Sequence, residues 1–115
     1  RLPFPVRKGA EAEVFAGSID LERLLEELAA FLAAYPGEGE RYREALGKLA
    51  YVAGVELGRQ GEAERAAHAL RIGLAHNPAD TSLRANYALA LQSQGCDEDA
   101  LAEYEAIIAD PEVDP

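Results

Sequence analysis

The chain has 115 residues, with 11 basic against 21 acidic side chains and a formal net charge of −10. This length suits one small domain, a hydrophobic content of 49% is too high for a disordered chain, and no apolar run approaches the roughly 20 residues of a membrane span. The acidic balance disfavours nucleic-acid binding, which needs a basic surface to displace counterions, and the single cysteine excludes an internal disulfide framework or a multi-cysteine zinc site.

The chain opens on Arg1 and contains no Met, which reads as a processed product or an excised piece of something longer. One cysteine fits a reducing, cytoplasmic setting. Residues 1–17 read as an extended basic arm. Pro3 and Pro5 push their predecessors out of the α region, and Arg1, Arg7 and Lys8 supply positive charge. Beyond the arm, residues 18–115 read as a single helical domain. Val, Ile and Thr total 10 against 38 for Ala plus Leu, a balance that favours helix because β-branched side chains lose rotamer freedom there.

Five helices are expected. The first covers residues 18–35, capped by Ser18, with Leu21, Leu24, Leu25, Leu28, Phe31 and Leu32 forming one apolar stripe. Pro36 and Gly37 stop it. The second covers 40–60, where Ala50, Gly54 and Gly58 fall on one face and invite close approach of another helix. Each glycine costs about 1 kcal/mol in a helix interior relative to Ala, so close packing should compensate at both. The third covers 62–76, the fourth 80–94 and the fifth 97–110, with Gly61, Asn77, Pro78, Gly95 and Pro111 marking the breaks. Asp97, Glu98 and Asp99 suit the positive end of the fifth helix. Short loops imply antiparallel hairpins.

A 34-residue internal period organises this pattern. Laying residues 47–80 over 81–114 gives eight identical pairs, among them Leu49/Leu83, Leu57/Leu91, Gly61/Gly95, Ala66/Ala100 and Ala75/Ala109. Small residues repeat at Gly54/Ala88 and bulky ones at Leu70/Tyr104. The first copy supplies Gly54, Leu57, Gly61, Ala66, Leu70 and Pro78; the second supplies Tyr87, Ala88, Leu91, Gly95, Ala100 and Tyr104. On these residues the chain resembles the tetratricopeptide repeat family. It departs from the family pattern at Ala50 and Arg84, which replace a large apolar residue, and at Ala53, which replaces a Leu. The resemblance implies an all-α fold of about five helices, with antiparallel hairpins stacked as a short right-handed solenoid. Residues 18–35 then act as a capping helix or partial repeat.

Catalytic and metal motifs are missing from the sequence. His68 and His76 share a helix, and Glu64 precedes His68 by one turn, but no third ligand stands nearby. Cys96 opens the fifth helix beside Asp97, Glu98 and Asp99, with no adjacent His to pair with. The expectation is therefore a non-catalytic protein without cofactor or metal.

What the resemblance implies about function is an interaction module that binds a peptide or partner helix. The groove would be lined by Lys48, Tyr51, Val55 and Arg59 from the second helix, with Ser82, Ala85, Leu89 and Gln92 from the fourth. The groove would be mixed, apolar in the middle and basic at Lys48 and Arg59, and suited to a peptide with an apolar anchor and a carboxylate. The subtype that clamps a terminal carboxylate is not matched. Asn86 occupies one of its places, but Tyr51 and Val55 stand where it needs Lys and Asn. An alternative is an oligomerisation or structural domain of a larger enzyme or secretion component. Leu101, Tyr104, Ile107 and Ile108 form a stripe on the fifth helix with no sixth helix to cover it, so either self-association as a homo-oligomer or coverage by a neighbouring domain is expected there. Residues 96–115 carry eight acidic and no basic side chains, so the basic arm has an acidic surface to meet, on its own chain or on a second copy.

Overall fold

The computed structural model describes residues 20–111; the expected arm at 1–17 and the expected cap Ser18 lie outside the described residues. Helix α1 spans Leu21–Ala34, α2 Gly39–Arg59, α3 Ala63–His76, α4 Thr81–Ser93 and α5 Asp97–Ala109. No strand occurs among the described residues, and the five helices pack on one another as an all-α fold.

Local chemistry sets the boundaries. Asp20, not Ser18, caps α1: its carboxylate accepts the Arg23 N–H at 3.0 Å, and α1 starts at Leu21. A carboxylate one residue before the stripe serves the free N–H groups better than a hydroxyl three residues away. Pro36 sits at the start of a 3-10 turn, Pro36–Glu38, which leads directly into α2. Asp80 caps α4 by accepting the Leu83 N–H at 3.0 Å.

The two inner turns are built alike. Gly61 and Gly95 hold φ of 80° and 81°, a left-handed conformation that favours glycine. The Glu62 N–H donates to the Leu57 carbonyl and the Cys96 N–H to the Leu91 carbonyl, both at 2.9 Å. Gly61 and Gly95 each donate to the carbonyl three residues earlier, on Gly58 and Gln92. Both helices thus end in a Schellman motif, and the 34-residue sequence period is matched bond for bond at these turns.

Helix α2 is the centre of the fold. It touches α1, α3 and α4, α3 also lies against α4, and α5 packs on α4 alone. Leu25, Leu28 and Leu32 of α1, Leu46, Ala50, Ala53 and Leu57 of α2, and Ala66, Ala69 and Leu70 of α3 share one buried core with Leu83 of α4. Gly54 admits Leu70 so closely that a Cβ there would meet the Leu70 Cγ at 2.5 Å. Burying a leucine contributes about 1.5–3 kcal/mol, which outweighs the roughly 1 kcal/mol that glycine gives up in a helix. Gly73 does the same service in α3: a Cβ there would lie 2.6 Å from the Ala50 Cβ. The expectation for Gly58 does not hold. It is exposed and has open space where a Cβ would stand, because it lies in the last turn of α2, past the last buried residue of that helix, Leu57.

Polar links tie the helices at their ends. Glu22 of α1 accepts from Arg65 at the start of α3, with the Arg65 Nε at 3.1 Å from Oε1. This pair, with the Glu22 hydrogen bond as the leading cause, holds the Arg65 guanidinium above its ordinary pKa. Arg84, standing where the first copy has the buried Ala50, donates to Glu103 of α5 at 2.6 Å and to the Pro78 carbonyl at 2.7 Å.

Candidate partner-binding surface

The expected groove residues divide into two groups. Lys48, Tyr51 and Ser82 come together in one open cleft of about 510 Å³ between α2 and the start of α4. Glu44, Gly47, Val52, Asn77 and Asp80 complete its lining. Val55, Arg59, Ala85, Leu89 and Gln92 lie outside that cleft. Val55 and Ala85 are half-buried, whereas Arg59, Leu89 and Gln92 are exposed.

The cleft owes its shape to the link between α3 and α4. The Asn77 side chain donates to the Arg43 carbonyl at 3.0 Å, anchoring the loop on α2. Gly47 makes room for it, since a Cβ there would sit 2.8 Å from the Asn77 Nδ2. Tyr51 and Val52 then line the cleft, 41% and 49% exposed, on the helix whose other side carries Leu46, Ala50, Ala53 and Leu57 into the core. Leu89 adds a third exposed apolar side chain on α4 at 55%.

Electrostatically the surface departs from the basic character expected at Lys48 and Arg59. Lys48 pairs with Glu44 at 3.2 Å and Arg59 with Glu56 at 2.9 Å, both on α2 itself. Glu44 and Asp80 outnumber Lys48 among the charged groups lining the cleft. Sequence reasoning passed over Glu44, Val52 and Asp80. The signal for Glu44 was its position one turn before Lys48; Val52 and Asp80 depend on where the 77–80 loop lands, which no local pattern records.

The expected self-association stripe also divides. Tyr104 and Ile107 are half-buried, while Leu101 and Ile108 are 57% and 79% exposed. The Tyr104 hydroxyl donates to the Gln92 Oε1 at 3.4 Å, which joins this side of α5 to the α4 surface carrying Gln92. Ala100 is the one fully buried side chain that α5 contributes.

Among the described residues, His68 and Cys96 stand apart. His68 stands beside Glu26 of α1, with Nε2 to Oε1 at 3.6 Å. Cys96 is half-buried at the start of α5 and makes no side-chain capping bond. Among the described residues no group of three or more His, Cys, Asp or Glu is placed to hold a metal ion, and no helix is long and apolar enough to cross a membrane. Comparison with family models, curated proteins and solved structures gives no match to the chain.

Proposed function

We propose that this protein is a non-catalytic interaction module, a short tetratricopeptide-like stack of two helix hairpins that takes an extended peptide or a partner helix along α2 and α4. The observation that carries this reading is the repetition of the turn geometry at Gly61 and Gly95. With it goes the packing of α2 directly on α4, the two helices that open the hairpins. Stacked hairpins of this kind bury their inner faces on each other and leave one continuous surface for a partner.

Recognition is assigned to apolar anchors. Tyr51, Val52 and Leu89 offer exposed apolar area on rigid helices, and aromatic anchors of this sort dominate binding energies. Glu44 and Asp80 outnumber Lys48 around the cleft, and Lys48 and Arg59 each stand beside a carboxylate in exposed pairs worth about 0–1 kcal/mol. A peptide with an apolar anchor and a neutral or basic flank is the better fit.

The test is selection of short random peptides on the intact chain, followed by titration of the selected peptides against Tyr51→Ala and Leu89→Ser. Both positions are exposed, so the fold should survive. Loss of affinity by about tenfold or more, roughly 1.4 kcal/mol, is expected for at least one variant. Failure to enrich any peptide, or equal binding by both variants and the parent, would contradict the proposal.

A further inference from the structure

Helix α5 presents an outer face that the other described residues leave uncovered. At 100° per residue, Leu101 and Ile108 fall on one side of the helix, and both are exposed. Asp97 and Glu105 flank Leu101 at one turn before and one turn after, with Glu98 beside them. These three carboxylates have no ion-pair partner among the described residues, whereas Glu103, on the opposite flank, is taken by Arg84. The face is therefore a short apolar stripe rimmed by negative charge. Pairing it with a second α5 would bring like charges together, which is unfavourable at close range. An occupant with apolar and basic side chains fits it better.

The chain carries such a segment. In residues 2–8, Leu2, Phe4 and Val6 alternate with Pro3 and Pro5 and are followed by Arg7 and Lys8. We propose that residues 2–8 dock on the outer face of α5 of the same chain, with Leu2, Phe4 or Val6 against Leu101 and Ile108, and Arg7 and Lys8 against the flanking carboxylates.

Spacing and reach agree with this pairing. Leu101 and Ile108 are about 10 Å apart along a helix at 1.5 Å per residue. An extended stretch from residue 2 to residue 6 covers about 13 Å at ~3.3 Å per residue. The start of the described chain and the start of α5 lie at one end of the molecule. Asp20 lines a small cleft with Gln60 and Arg65, so the described chain begins beside the α2–α3 turn. The Gln94 side chain reaches the Ala63 carbonyl at 3.5 Å, which places the α4–α5 turn at that same end of the molecule. Residues 9–19, fully extended, span up to about 36 Å. The proposal is independent of the α2–α4 groove and stands or falls without it.

The experiment places a nitroxide on the full chain through Gly9→Cys in a Cys96→Ser background and reads backbone amide intensities by nuclear magnetic resonance. Isotope-labelled, tagged chains are diluted into unlabelled, untagged ones, so that only contacts within one chain register. The amides of residues 98–108 are expected to lose most of their intensity. The loss should vanish in Leu101→Gln/Ile108→Gln, and again in Arg7→Glu/Lys8→Glu, which leaves α5 untouched. Loss centred on Tyr51 and Val52, no localised loss, or loss seen only when labelled untagged chains are mixed with tagged ones would each overturn the proposal. The last outcome would assign the face to a second copy.

Discussion

The glycines show how much one side chain decides in this fold. Gly54 and Gly58 lie four residues apart on α2 and read alike by pattern, yet one meets Leu70 and the other meets solvent. Opposite outcomes follow. Gly54→Leu is expected to destabilise by about 1–3 kcal/mol, since the core must move to admit it. Gly58→Ala is expected to stabilise by up to about 1 kcal/mol through helix propensity alone. Chemical denaturation of the two variants checks both signs, and a neutral Gly54→Leu would refute the close approach of α2 to α3. The ion pairs at Lys48 and Arg59 went unread, although Glu44 and Glu56 stand one turn earlier. What a linear reading misses is that these carboxylates answer the cations locally and change what the surface can recognise.

At the scale of elements, helices and turns were the most legible features because their causes are local. Apolar spacing marks the stripe of α1, and Gly61 and Gly95 mark the turns that only a left-handed residue closes well. The first boundary was missed because Ser18 and Asp20 are both competent caps and the carboxylate lies nearer the stripe. The second hairpin holds together differently from the first. Arg84, a departure from the repeat pattern, takes the place of a buried apolar residue and bridges α4 to Glu103 of α5 and to the Pro78 carbonyl. Both partners of the ion pair are 25% exposed, so the contact is shielded enough to matter. Arg84→Ala is expected to destabilise by about 1–3 kcal/mol, the range for hydrogen bonds to charged groups and their loss. Arg84→Lys should recover only part of this, since an ammonium cannot reproduce the forked geometry. Thermal denaturation of the pair of variants reads the difference. Full recovery by Lys would reduce Arg84 to a simple charge.

Over the whole molecule, burial is uneven. The α1–α3 helices share a continuous core, whereas α5 adds Ala100 as its one fully buried side chain and rests on α4 alone. On the proposed reading of the fold as stacked hairpins, stability is close to a sum over units and their interfaces. Native-state hydrogen exchange is therefore expected to show α5 opening below the global unfolding free energy while α2 and α3 exchange only with global unfolding. Uniform protection would mean one cooperative unit instead of stacked ones. The cleft by Tyr51 belongs to this scale too. It exists because Asn77 fastens a loop onto α2 34 residues from Arg43, a distant contact no local spacing foretells. The measurement that tests the central claim most directly is a map of amide shift changes when a selected peptide is titrated into the intact chain. Changes concentrated on Tyr51, Val52, Ser82 and Leu89 are expected. Changes confined to the outer face of α5, or scattered over the surface, would contradict that claim.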